Sequence, residues 1–159
     1  MGDPTVFGGP FELVVPPAFD REVLFVYADD AASVRVTVND AILKAAGMIV
    51  RRTALTEAER VRFVLFASLV DDGEAQAIAL AEARKLPLLS DDVLGLRLAA
   101  SVGVSTLTTL DLLVLWARDR GSKEIRETCL RLRKRARYGV PRDHQHADWY
   151  RSQLEEPEN

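Results

Sequence analysis

Cysteine is almost absent: Cys129 stands alone among 159 residues, so no disulfide can close within one chain, and the composition fits a reducing cytoplasm rather than secretion. Long apolar runs are missing too. The longest, Phe63 to Val70, has Ser68 inside it and falls far below the roughly 18 residues of a membrane-spanning helix. Met1 opens neither a basic segment nor an apolar one, so neither export nor membrane insertion is expected. Positive charge is not in excess, with 21 Lys and Arg against 24 Asp and Glu and a net charge of -3. That balance argues against wholesale wrapping of nucleic acid, although a local basic patch on an acidic protein still binds it. No phosphate-binding glycine loop, Cys/His pair or Ser/His/Asp set is visible, which sets the usual side-chain nucleophiles aside. What is present, a hydrophobic content of 48%, describes one soluble globular domain.

Met1 to Pro10 holds three Gly and two Pro, too much backbone freedom and too few donors for an ordered element. Leu13-Val14-Val15 then reads as a strand, halted by Pro16-Pro17, and a helix is predicted through Phe19, Val23, Val26 and Tyr27. Val34 to Val38 alternates as a half-exposed strand, with a short helix as the alternative. Asn39 caps a predicted helix from Asp40 to Ala46, stopped by Gly47, and Met48 to Arg52 is a further strand. Thr56 and Glu59 form a capping box ahead of a helix to about Leu69. After Asp71-Asp72-Gly73, the next helix lines one face with Ala75, Ile78, Ala79 and Ala83. Leu86 to Leu89 is a buried strand, Ser90 caps a helix from Asp91 to Ser101, and Val104 to Leu107 is extended. Thr108 or Thr109 starts a helix carrying Leu112, Leu113, Leu115 and Trp116, and a last long helix spans Lys123 to Tyr138. Gly139 to Asn159 is polar, with a helical turn around Ala147 to Leu154. Short strands alternating with helices predict a parallel α/β sandwich, in which ligands sit beyond the carboxyl ends of the strands.

Carboxylates gather at those ends: Glu22 two turns after the first strand, Glu74 opening a helix, and Asp91-Asp92 directly after Leu86 to Leu89. Two readings are open. Acids without a basic partner imply a hard divalent cation, or they merely favour the positive ends of helix dipoles. The helix from Lys123 to Arg137 carries Arg131, Arg133, Lys134, Arg135 and Arg137, either as a site for RNA phosphates or as an ordinary solvated face packed through Ile125, Leu130 and Leu132. His144-Gln145-His146 beside Asp143 lacks third and fourth ligands at zinc spacing, so no metal is expected there. Trp149 and Tyr150 anchor the tail, and Trp116 is core.

The order of Asp71 to Ala81, Leu88-Leu89-Ser90-Asp91-Asp92, Arg97 to Ala100, Gly103-Val104 and Thr108 to Leu113 resembles a PIN domain, as found in prokaryotic toxin ribonucleases. Pro17 to Glu22 resembles the element leading to that family's second acid, so the likeness spans Leu13 to Leu113. The resemblance implies a three-layer α/β/α sandwich with a mostly parallel sheet, formed by residues 1–121. A C-terminal helical extension, the basic helix and tail of residues 122–159, would pack on the same domain. It implies an endoribonuclease hydrolysing RNA phosphodiesters with metal-activated water. Glu22, Glu74 and Asp92 would hold Mg²⁺ or Mn²⁺, Asp91 would be a further ligand, and Ser90 would orient a carboxylate or water. It also implies a toxin with a cognate antitoxin, acting as a homodimer. The alternative is a non-catalytic PIN-like module that binds RNA or protein. The family's opening strand, apolar and ending in Asp, has no counterpart in Met1 to Pro10, where Asp3 follows no strand. Val34 to Val38, or a strand lent by a partner chain, is expected to take its place.

Overall fold

A computed structural model describes residues 11–22, 25–27, 35–37 and 48–155. The chain divides into two compact units between Leu107 and Thr108. In the first, β1 (Phe11–Val15) pairs in parallel with β4 (Met48–Arg52), with Val15 opposite Arg52. Pro16-Pro17 ends β1 because proline has no N–H for a ladder. The helix α1 (Phe19–Glu22) follows at once. It is joined to β4 by Arg52, which donates to Asp20 at 2.9 Å.

Two expectations change here. The helix predicted through Tyr27 stops at Glu22, and β2 (Phe25–Tyr27) pairs antiparallel with β3 (Arg35–Thr37). Aromatic and β-branched residues suit a strand once a partner strand is at hand, and pairing overrides the helical period. That pairing uses Arg35 to Thr37 of the strand expected at Val34 to Val38, and among the described residues this strand is not paired with β1. The predicted loop at Met1 to Pro10 and the predicted helix at Asp40 to Ala46 lie outside the described residues.

The core of this unit is built on two helices, α2 (Glu57–Phe66) and α3 (Asp72–Arg84). The capping box of α2 forms as predicted: Thr56 Oγ1 accepts from the Glu59 N–H at 3.3 Å, and Glu59 accepts from the Thr56 N–H at 2.7 Å. The helix α3 is capped by Asp71 and ends at Lys85, whose φ of 56° is the left-handed turn that stops a helix. Ala75, Ile78 and Ala79 are fully buried against Phe66, Leu88, Ala99 and Val104. Ala83 is exposed instead, and Gln76, Leu80 and Ala81 are buried, because α3 is covered on more than one side. Beyond it come β5 (Leu88–Leu89), α4 (Val93–Ser101) and β6 (Thr106–Leu107), with β5 and β6 parallel.

Thr108 opens the second unit as the cap of α5 (Thr109–Ala117), followed by α6 (Ser122–Arg135) and α7 (Ala147–Leu154). Leu110, Leu113, Cys129 and Tyr150 form its core, with Trp116 and Trp149 packed against them. Tyr150 donates to the Cys129 carbonyl at 3.2 Å and meets Tyr138 edge-on, so the tail is anchored as expected. The helix α6 ends at Arg135 rather than Tyr138. Arg137 takes a φ of 52°, and the Tyr138 N–H turns back to the Leu132 carbonyl.

Glu59 is 3% exposed and paired with Arg84 at 2.7 Å. The Arg84 hydrogen bond, opposed by burial, holds its carboxyl down at about 2. This stabilisation is complete above the unfolded pKa near 4.5 and is lost as pH falls through about 2. Glu59→Gln should therefore cost about 3 kcal/mol at pH 7. In urea denaturation the gap from the parent should close as the pH is lowered from 5 towards 2.

Candidate active site

The site is assembled where β5 hands over to α4, against the first turn of α3. Asp71 accepts from the Glu74 N–H at 2.9 Å, which fixes the first turn of α3 and aims Glu74 away from the buried alanine face. Ser90, the residue after β5, donates its hydroxyl to Glu74 Oε1 at 2.8 Å and accepts from the Asp92 N–H at 3.0 Å. Asp92, and not Ser90, is the cap of α4. Its Oδ1 accepts from the Leu94 N–H at 2.7 Å and the Gly95 N–H at 2.9 Å.

Gly95 is the residue that sequence reasoning missed. A Cβ at this position would lie 2.7 Å from both Glu74 carboxylate oxygens, so the carboxylate rests directly on the glycine at the start of α4. Glycine inside a helix costs about 1 kcal/mol relative to alanine, and that cost is the one signal the sequence offered. Gln76 was missed too. It is 7% exposed and accepts from the buried Ala18 N–H at 3.2 Å, tying the turn before α1 to α3, two residues from Glu74.

Burial raises the Glu74 carboxyl above its ordinary value. The Ser90 hydroxyl works against this, while the charges of Asp92 and Asp71 add to it. Among the described residues, no ion pair reaches Glu74 or Asp92. Two hard oxygen donors facing each other without a counter-charge suit a divalent cation. Asp92 is exposed at the mouth, so the pair is open to solvent.

Of the predicted residues, Glu74, Ser90 and Asp92 come together. Asp91 is exposed and has an interaction of its own. Glu22 is placed by its backbone at the end of α1, and its side chain lies outside the described residues. Among the described residues, no group of three or more His, Cys, Asp or Glu is placed to hold a metal.

In the second unit, Arg131, Arg133, Lys134 and Arg135 are exposed on α6 and Arg137 follows it. Glu127, Leu130, Arg131, Lys134 and Arg135 border a depression of about 280 Å³. The two histidines form a different structure. His144 meets Thr108 Oγ1 at 3.0 Å, while His144 and His146 lie 3.6 and 3.7 Å from the Asp111 carboxylate. Burial acts to raise the Asp111 carboxyl, but hydrogen bonds from Thr108 and Gln145 and the nearby His144 hold it below its ordinary value. The His146 N–H donates to His144 Nδ1 at 3.2 Å. This cluster locks the α5 cap.

Acids placed beyond the strand ends of an α/β domain lie where such folds bind their ligands. The family model for the PIN domain matches residues 11–146, and the chain belongs to that family. Its mixed helices and short, mostly parallel strands are the α/β PIN fold, a nuclease-type fold whose members generally use divalent metal ions. No curated protein and no solved structure matches the chain. Among the described residues, no helix is long and apolar enough to cross a membrane.

Gly95→Ala tests the seat of Glu74. The clash falls on the far end of a flexible side chain, and alanine gains about 1 kcal/mol as a helix former. Thermal stability should therefore hold or rise. The Glu74 carboxyl, followed by carbon-13 NMR against pH, should move back towards the value of an exposed glutamate.

Proposed function

We propose that this chain is a divalent-metal-dependent endoribonuclease that hydrolyses RNA phosphodiesters, acting as the toxin of a toxin–antitoxin pair. The observation that supports this reading is the Glu74 carboxylate, resting on Gly95 beside Asp92, with no cation paired to either among the described residues. Glu74 and Asp92 would hold Mg²⁺ or Mn²⁺, with Glu22 and Asp91 as further carboxylates. When bound, such an ion polarises a phosphodiester and acidifies water. The chain's own residues prepare the site. Ser90 fixes one Glu74 oxygen, and the α4 cap fixes one Asp92 oxygen, so the remaining oxygens are held in place before any ligand arrives. Arg133 and Lys134, with Arg131, Arg135 and Arg137, would contact RNA phosphates, giving affinity and salt dependence without choice of sequence. A cognate antitoxin protein and a homodimer belong to the same reading.

Mn²⁺ calorimetry and cleavage of end-labelled RNA test it on the full chain. The parent should bind Mn²⁺ and cut. Glu74→Gln combined with Asp92→Asn should abolish both, and Ser90→Ala should weaken Mn²⁺ binding by about 10- to 100-fold. Because the Glu74 carboxyl titrates above its ordinary value, metal binding should fall on acidification at a higher pH than an exposed glutamate would give.

A second reading, a PIN-like module that binds RNA or protein without cutting, is favoured by the lack of any three-ligand group among the described residues. RNA binding by the parent, without Mn²⁺ binding or cleavage, would select it.

A further inference from the structure

Gln76 stands where an apolar residue would serve packing better. It is 7% exposed, next to the fully buried Ala75 of α3, and a buried amide costs stability unless it is hydrogen-bonded. Its Oε1 accepts from the N–H of Ala18, itself fully buried, at 3.2 Å. The Ala18 carbonyl in turn accepts from the Arg21 N–H at 2.9 Å. The residue that Gln76 grips is therefore bonded into α1, and a displacement at Gln76 passes directly to that helix.

The helix α1 has four residues, too few to hold a conformation or a place unaided. Its position comes from what it touches. Arg52 meets Asp20 at 2.9 Å with both side chains exposed, and such surface pairs contribute little. The Gln76 bond is buried, where water does not replace it. Gln76 and Glu74 are two residues apart, about 3 Å along the axis of α3, and Asp71 fixes the turn that bears Glu74. One stiff stretch of helix thus holds Glu74 by its own backbone and α1, with Glu22 at its end, through Gln76. We propose that Gln76 is a positioning residue, whose bond to Ala18 sets where α1 stands relative to Glu74 and Asp92 and thereby the affinity of the site for a divalent cation. Its oxygen is taken by Ala18, so it acts through α1 and not as a ligand. The inference rests on the metal-site reading of Glu74 and Asp92 and adds that α1 is set in place before an ion arrives.

Two changes in the full chain delete the same bond from opposite sides. Gln76→Met keeps the side-chain volume and removes the acceptor; an ester in place of the Ala18 amide removes the donor and leaves α3 untouched. Mn²⁺ is the probe, read by calorimetry and by paramagnetic broadening of amide NMR signals, which falls steeply with distance from the ion. In the parent, Mn²⁺ should broaden Arg21 and Glu22 together with Leu94 and Gly95. Each variant should bind Mn²⁺ about tenfold more weakly. At saturation, broadening should weaken at Arg21 and Glu22 and persist at Leu94 and Gly95. The two changes combined should lose no more affinity than one alone, because they remove a single interaction. Tyr150→Phe, which loses the bond to the Cys129 carbonyl in the second unit, should move neither readout, and this separates positioning from a general loss of stability. If Gln76→Met does not fold, the ester variant decides. Unchanged affinity and broadening in the variants would overturn the inference and leave the nuclease reading standing, as would a parent in which Leu94 and Gly95 broaden but Arg21 and Glu22 do not. A parent that binds no Mn²⁺ would overturn the nuclease reading and this inference with it.

Discussion

Close packing around α3 is the constraint on which the first unit depends. Its alanines let Phe66, Leu88, Ala99 and Val104 reach the helix, and its polar side chains then tie down the remaining pieces one by one. Arg84 holds the start of α2 through Glu59 and also bonds Thr53. Glu82 accepts from Nε and Nη2 of Arg62. Gln76 holds the turn before α1, and Glu74 meets Ser90 after β5. A larger residue at Ala75 or Ala79 would push these partners outward together, because well-packed interiors do not absorb added volume locally.

Two carboxylates on this scaffold separate structure from chemistry. Glu59 and Glu74 both follow a helix cap by three residues, and both lose water to burial. Glu59 meets an arginine and is held at about 2. Glu74 meets a hydroxyl and a second carboxylate, and its carboxyl rises. The first arrangement is complete without a ligand and contributes stability. The second keeps an electrostatic cost that a cation would relieve. Asp111 resembles the first: half-buried, surrounded by donors and lowered.

Local signals were legible where one residue decides its own neighbourhood. The Thr56–Glu59 capping box and the Ala75, Ile78 and Ala79 part of the α3 face follow from spacing, and the anchoring of Tyr150 from its aromatic ring. The grouping of Glu74 with Ser90 and Asp92 was legible from motif order. Gly95 beneath Glu74 was not, because the contact links residues on two helices whose crossing no local pattern records. The strand at Phe25–Tyr27 was misread as helix for a related reason: its apolar spacing fits either period, and only pairing with Arg35–Thr37 decides between them.

Sequence by itself determined local chemistry: the capping box at Thr56, a stop at Pro16-Pro17, and acids placed after strands. Tertiary structure decided which acid keeps its charge at low cost and which does not, which strands pair among the described residues, and that His144 closes on the α5 cap. The physical reason is that caps and turns are short-range and are satisfied within a few residues. Desolvation, ion pairing and strand pairing depend on what distant parts of the chain bring alongside.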